Sequence, residues 1–130
     1  MPALAAAATS RARSAGFRLS CEPAVGQLLA VLAAHLPAGA RVLELGTGAG
    51  VGTAWIAGGL LPGADVTVTT IEKDPRTAAL AARGAWPQFV DPRVGDALDV
   101  VAGAGAFDLI LADAHISDAR RSRRSARHSQ

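Results

Sequence analysis

In RVLELGTGAGVGT (Arg41 to Thr53) an apolar stretch gives way at once to Gly46, Gly48, Gly50 and Gly52. A glycine-rich turn directly after a buried strand lets backbone approach a ligand that a Cβ would hold away. It also presents N–H groups at the start of the helix that follows. The spacing is G-x-G-x-G. Counted from Gly46, a dinucleotide fingerprint G-x-G-x-x-G would need glycine where Val51 stands. Glu44 lies just ahead of the loop. A carboxylate there gains nothing for a pyrophosphate and attracts a ligand carrying an ammonium or sulfonium group. Glu72, Asp96 and Asp113 follow later apolar stretches, in VTVTTIE, VGDAL and FDLILADA. Taken singly, Glu72 and Asp96 also read as cap or loop acids. His115 stands close enough to Asp113 to serve as a base, although a loop histidine is the plainer reading.

These residues need elements to position them, and the chain supplies an alternating series. Pro23 suits a first helical turn, and Val25, Leu28, Leu29, Leu32 and Leu36 recur at helical spacing until Pro37 and Gly39 stop the helix; His35 falls near its C-terminus. RVLEL reads as a short buried strand, Gly50 to Leu60 as a helix closed by Pro62–Gly63, and VTVTTIE as a β-branched strand. Asp74 then reads as an N-cap, with Pro75 as the first helical residue and Gly84 as the stop. Phe89 to Val94 is predicted as a strand that Pro92 confines to an edge. Asp99 to Gly105 is a short helix and Phe107 to Ala112 a further strand. Alternation at this spacing implies βαβ units, hence an open, mostly parallel, doubly wound α/β sheet with helices on both faces. Ligands bind such sheets at the carboxyl ends of the strands.

With the motifs in this order, the chain resembles the class I S-adenosylmethionine-dependent methyltransferases over Phe17 to Ala114. VLELGTGAG is similar to their first motif. GFRLSCEPAVGQLLAVLA upstream looks most like the small-molecule O-methyltransferases, the catechol and caffeoyl-coenzyme-A relatives. The resemblance implies S-adenosylmethionine as cofactor and a small-molecule methyl acceptor. It places Glu44 near the cofactor's amino group and Gly46, Thr47, Gly48 and Gly50 along its methionine portion. It places Glu72 at the ribose, where two acceptor oxygens suit a diol, and Asp96 with Ala97 at the adenine. Asp113 would border the methyl-transfer site. In the metal-dependent branch its counterpart binds a divalent cation such as Mg²⁺, whose other ligands would come from later strands. Two other classes fit the same residues: a non-catalytic cofactor-binding fragment, and a NAD-dependent oxidoreductase fragment, whose ribose also takes an acid after the second strand.

The 130 residues suit one domain, and half of them are apolar. No apolar run approaches the roughly 20 residues that cross a bilayer, so no membrane partner is expected. The lone Cys21 fits a reducing, cytoplasmic setting. The net charge of +2 belongs to the tail, where Arg120, Arg121, Arg123, Arg124 and Arg127 cluster; the rest is mildly acidic, with no basic face for nucleic acid. The expected layout is a loose N-terminus over 1–16, a cofactor-binding domain over 17–116 that lacks the last strands of the family's sheet, and a basic, disordered tail over 117–130. The tail reads as the product of a truncation or frame shift in a GC-rich gene rather than as a functional arm. The fourth strand would then present an open edge through which copies of the chain self-associate.

Overall fold

The computed structural model describes residues 1–17, 22–61, 63 and 65–112. The elements run α1 (Ala3–Ser14), α2 (Pro23–Ala34), β1 (Ala40–Leu45), α3 (Val51–Leu60), β2 (Val66–Glu72), α4 (Pro75–Ala81), β3 (Val90–Val94), α5 (Ala97–Val101) and β4 (Leu109–Ala112). The strands form one parallel sheet in the order β3-β2-β1-β4. The chain steps from β1 outward to β2 and β3, then crosses back to the other side of β1 for β4. Right-handed crossovers in opposite directions put α3 and α4 on one face and α5 on the other. The reversal falls between β1 and β4, where Leu45 pairs with Ala112.

Period-two alternation explains the core. Val42 and Glu44 on β1 pair with Val68 and Thr70 on β2, and all four side chains are buried on the α3 side. Ile56, Ala57 and Leu60 of α3 close over Val42, Val66 and Val68. Thr67 on the opposite face is exposed. β3 is an edge strand, as Pro92 requires, with Pro92 opposite Thr70. At the amino end of the sheet Arg41 holds β4 in register. Its backbone N–H donates to Asp108 Oδ2 at 2.8 Å, its guanidinium donates to the Ala106 carbonyl at 2.9 Å, and it lies 4.5 Å over the Phe107 ring.

Several sequence expectations are corrected by packing. The N-terminus is not loose: Ala3–Ser14 form α1, and Ala5, Ala8 and Ala12 are fully buried against Ala49, Val51, Ala54 and Trp55. Their i, i+3, i+7 spacing is a helical face made of methyl groups, which lets α1 sit close on α3. On α2 Val25, Leu28, Val31 and Leu32 are exposed, whereas Gly26 and Ala33 are buried and Leu29, like Leu36 just beyond the helix, packs against the core as its spacing predicts. The contact with α3 selects small residues, because Gly26 lies against the Trp55 indole and Gly59 against the backbone of Ala30. α5 begins at Ala97 rather than Asp99, since Asp96 caps it. β4 begins at Leu109 rather than Phe107.

Asp74 caps α4 as expected, accepting from the Arg76 N–H at 3.3 Å and the Thr77 hydroxyl at 2.7 Å. The Thr77 hydroxyl and then the Arg76 N–H hold its carboxyl below the ordinary 3.8. A pKa lowered on folding stabilises the fold above the unfolded value, and that stability is lost as pH falls through the folded value. Asp74→Ala is therefore expected to lower the urea midpoint at pH 7 but to match the parent chain at a pH below the folded value. An equal deficit at both would contradict the cap's ionic character.

Candidate functional site

The carboxyl ends of β1, β2 and β3 meet at one rim, and the glycine loop lies across it. Gly46, Gly48 and Gly50 have φ of 87°, 57° and 92°, a left-handed region in which side chains are strained. The loop is bolted down by its own N–H groups. Gly46 and Thr47 both donate to the Ile71 carbonyl, at 2.8 and 3.2 Å, and Gly50 donates to Thr47 O at 3.0 Å. Gly48 N–H donates to Glu72 Oε1 at 2.9 Å. These loop N–H groups are thus taken up within the protein. The ladder of α3 starts with Ala54 donating to Gly50, so the N–H groups of Val51, Gly52 and Thr53 lie ahead of it. Gly50 also has a packing reason: a Cβ there would sit 2.9 Å from Trp86 Cζ2. Trp86 is fixed in turn by its indole N–H, which donates to Ala81 O at 2.8 Å.

Glu72 ends β2 and braces two loops at once. Oε1 takes the Gly48 N–H, and Oε2 takes the Asp74 N–H at 3.0 Å. Each carboxylate oxygen has a second lone pair, so this carboxylate is held in place while keeping acceptor capacity for a diol. The backbone of Gly95 donates to Glu72 O at 3.0 Å, which sets the turn after β3 beside the end of β2. In that turn Asp96 Oδ1 accepts from Leu98 N–H at 2.9 Å. Asp96 is thus a helix cap as well as a rim acid, and Ala97 opens α5 beside it.

Glu44 points the other way, under α3. Its Oε1 accepts from the Thr70 hydroxyl at 2.7 Å and from the Thr53 hydroxyl. A Cβ on Gly52 would lie 2.7 Å from Glu44 Oε2, so the absence of a side chain at Gly52 makes room for the carboxylate. Thr47 Oγ1 lies 2.6 Å from Thr70 Oγ1. The sequence reading missed Thr53 and Thr70; the signal was strand alternation, which puts Thr70 and Glu44 on one face of paired strands.

The structure therefore brings Glu44, the loop 46–50, Glu72, Asp96 and Ala97 to one end of the sheet. Asp113 and His115 lie outside the described residues, as do Cys21 and the basic tail. Among the described residues no three His, Cys, Asp or Glu side chains cluster to hold a metal ion. Among them, too, no helix is long and apolar enough to cross a membrane.

A parallel sheet wound in two directions, with a glycine loop and anchored acids at its carboxyl rim, defines a doubly wound, Rossmann-like α/β domain. Within that class the chain belongs to the methyltransferase family whose profile is described as "Methyltransferase domain", which matches residues 43–127. It is 37% identical to a catechol O-methyltransferase of Niastella koreensis over 86% of this chain and 53% of the relative. It is 36% identical to a catechol O-methyltransferase of Mycobacterium tuberculosis over 87% of this chain and 53% of the relative. Among solved structures, the O-methyltransferase TomG of Streptomyces achromogenes, in complex with SAM, superposes with a TM-score of 0.71 at 29% identity, over 88% of this chain and 54% of that one. The chain spans about half the length of the curated relatives it matches.

Proposed function

We propose that this chain is the S-adenosylmethionine-binding part of a methyltransferase that methylates an oxygen of a small molecule. The observation that carries the reading is Glu72, a carboxylate fixed on both oxygens by N–H groups of the glycine loop and of the loop after β2. Glu72 would receive the ribose hydroxyls and Asp96 with Ala97 the adenine edge. Gly46, Thr47, Gly48 and Gly50 would lie along the methionine portion, with Glu44 supplying the charge that favours its ammonium. The relative solved with SAM supports this choice of cofactor. The cofactor brings a methyl group already activated on a sulfonium, so the protein's main task is alignment with the attacking oxygen. Asp113, next after Ala112 at the switch point, would sit on the acceptor side. Residues 17–116 would form the cofactor-binding unit, with α1 packed onto it, and 117–130 a basic tail; the lone cysteine supports a cytoplasmic setting.

A second reading is that these 130 residues bind the cofactor without turning over, since the rim acids described, Glu72 and Asp96, both stand on the cofactor side. Incubation with methyl-tritiated S-adenosylmethionine and a panel of catechols and other phenols separates the two. Label in an extractable methyl ether marks the enzyme, and cofactor retained on the protein without product marks the binder.

The edge of β4 supports self-association as well. Among the described residues β4 pairs only with β1, it carries no lysine or proline, and Ile110 is exposed. The chain is expected to elute as an oligomer in chromatography with light scattering, and still to do so after deletion of residues 118–130. Ile110→Lys is expected to shift it toward monomer. A monodisperse monomer of the unaltered chain would contradict this.

A further inference from the structure

A line of oxygen atoms runs beneath the glycine loop, from Thr47 in the loop through Thr70 on β2 and Glu44 on β1 to Thr53 on α3. All four side chains are buried, with Thr53 and Thr70 at 0% and 1% exposed. Counting protons gives the line a direction. The Thr53 and Thr70 hydroxyls both donate to Glu44 Oε1, so both spend their protons there. Thr70 has one proton. With that proton committed to Glu44, the 2.6 Å contact between Thr47 and Thr70 must be made by the Thr47 proton. Thr47 then keeps only lone pairs for anything else it meets.

We propose that Thr70 is a positioning residue: by donating to Glu44 and accepting from Thr47, it makes the Thr47 oxygen an acceptor-only group in the cofactor loop. The Glu44 charge is thereby expressed at the loop surface as a site for the α-ammonium of the cofactor's amino-acid part, and a carboxylate is disfavoured there. This rests on the reading of the chain as an S-adenosylmethionine binder. Without the Thr70 hydroxyl, the Thr47 proton is released to point elsewhere, and Glu44 loses one of the donors that hold it.

The test compares two ligands on the full 130-residue chain: S-adenosylhomocysteine, which has the α-amino acid, and methylthioadenosine, which shares the nucleoside but lacks it. Thr70→Val keeps the side-chain volume and removes the hydroxyl. It is expected to weaken S-adenosylhomocysteine about tenfold, as for a hydrogen bond to a charged group, and to leave methylthioadenosine within about twofold, the scatter of a neutral change. Thr70→Ser, which restores the hydroxyl, is expected to recover the loss. Thr47→Val removes the acceptor from the other end and should show the same selectivity, which covers the case in which Thr70→Val does not fold. Equal weakening of both ligands, or of neither, in a folded variant would overturn the relay. A parent chain that binds neither ligand overturns the cofactor reading itself, and the relay with it.

Discussion

Glu72→Ala is expected to lower affinity for S-adenosylhomocysteine about ten- to a hundredfold. Hydrogen bonds to a charged group contribute roughly 1.5–3 kcal/mol, and each 1.4 kcal/mol is about a factor of ten. Two losses combine. The ribose would lose its carboxylate, and the Gly48 and Asp74 N–H groups would lose the acceptor that now holds the loop at 2.9 and 3.0 Å. The fold itself should persist, since Glu72 is at the rim and β2 is anchored by Val66, Val68 and Ile71 in the core. Circular dichroism should therefore be unchanged. Glu72→Gln keeps one acceptor oxygen and should fall between the two. Unchanged affinity in Glu72→Ala would remove the ribose assignment.

The largest expected loss of stability comes from Gly59→Ala, a single methyl group placed between α2 and α3. The new Cβ would land on the Ala30 carbonyl oxygen and crowd the Ala30 backbone, which cannot swing away as a side chain tip would. To relieve it the helices must separate, and that opens the contact between Gly26 and the Trp55 ring on the same interface. Overpacking of this kind costs about 1–3 kcal/mol and occasionally more; a backbone clash belongs at the upper end. Gly63→Ala is the matched control, because a Cβ there meets nothing within 4 Å. Urea unfolding should show a clearly lowered midpoint for Gly59→Ala and little change for Gly63→Ala. Equal midpoints would mean that α2 does not pack against α3 in this way.

What was legible in the sequence followed from period and punctuation. The β-branched run VTVTTIE, the glycine-rich turn after RVLEL and the cap at Asp74 are local signals, and each appears where expected. The parallel order followed from strands and helices taking turns. Packing choices were less visible. α1 was overlooked because its buried face is made of alanine methyls, which carry little hydrophobic contrast against the alanines around them. The inward face of α2 was read only in part: Leu29 packs on the core, but close helix approach rewards Gly26 and Ala33 over Val25 and Leu28. Glu72 and Asp96 stood out by their places after apolar stretches and by the resemblance, but the bracing of Glu72 and the capping by Asp96 depend on contacts made only in the folded chain. The threonine line needed the pairing of Glu44 with Thr70, residues that are remote in sequence.

The central claim is that the glycine loop and Glu72 hold S-adenosylmethionine, and titration calorimetry on the purified 130-residue chain tests it most directly. S-adenosylhomocysteine should bind with saturable heat at a single site, NAD should give none at the same concentrations, and Glu72→Ala should abolish most of the signal. Saturable binding of NAD with no heat from S-adenosylhomocysteine would contradict the account and assign the loop to an oxidoreductase instead.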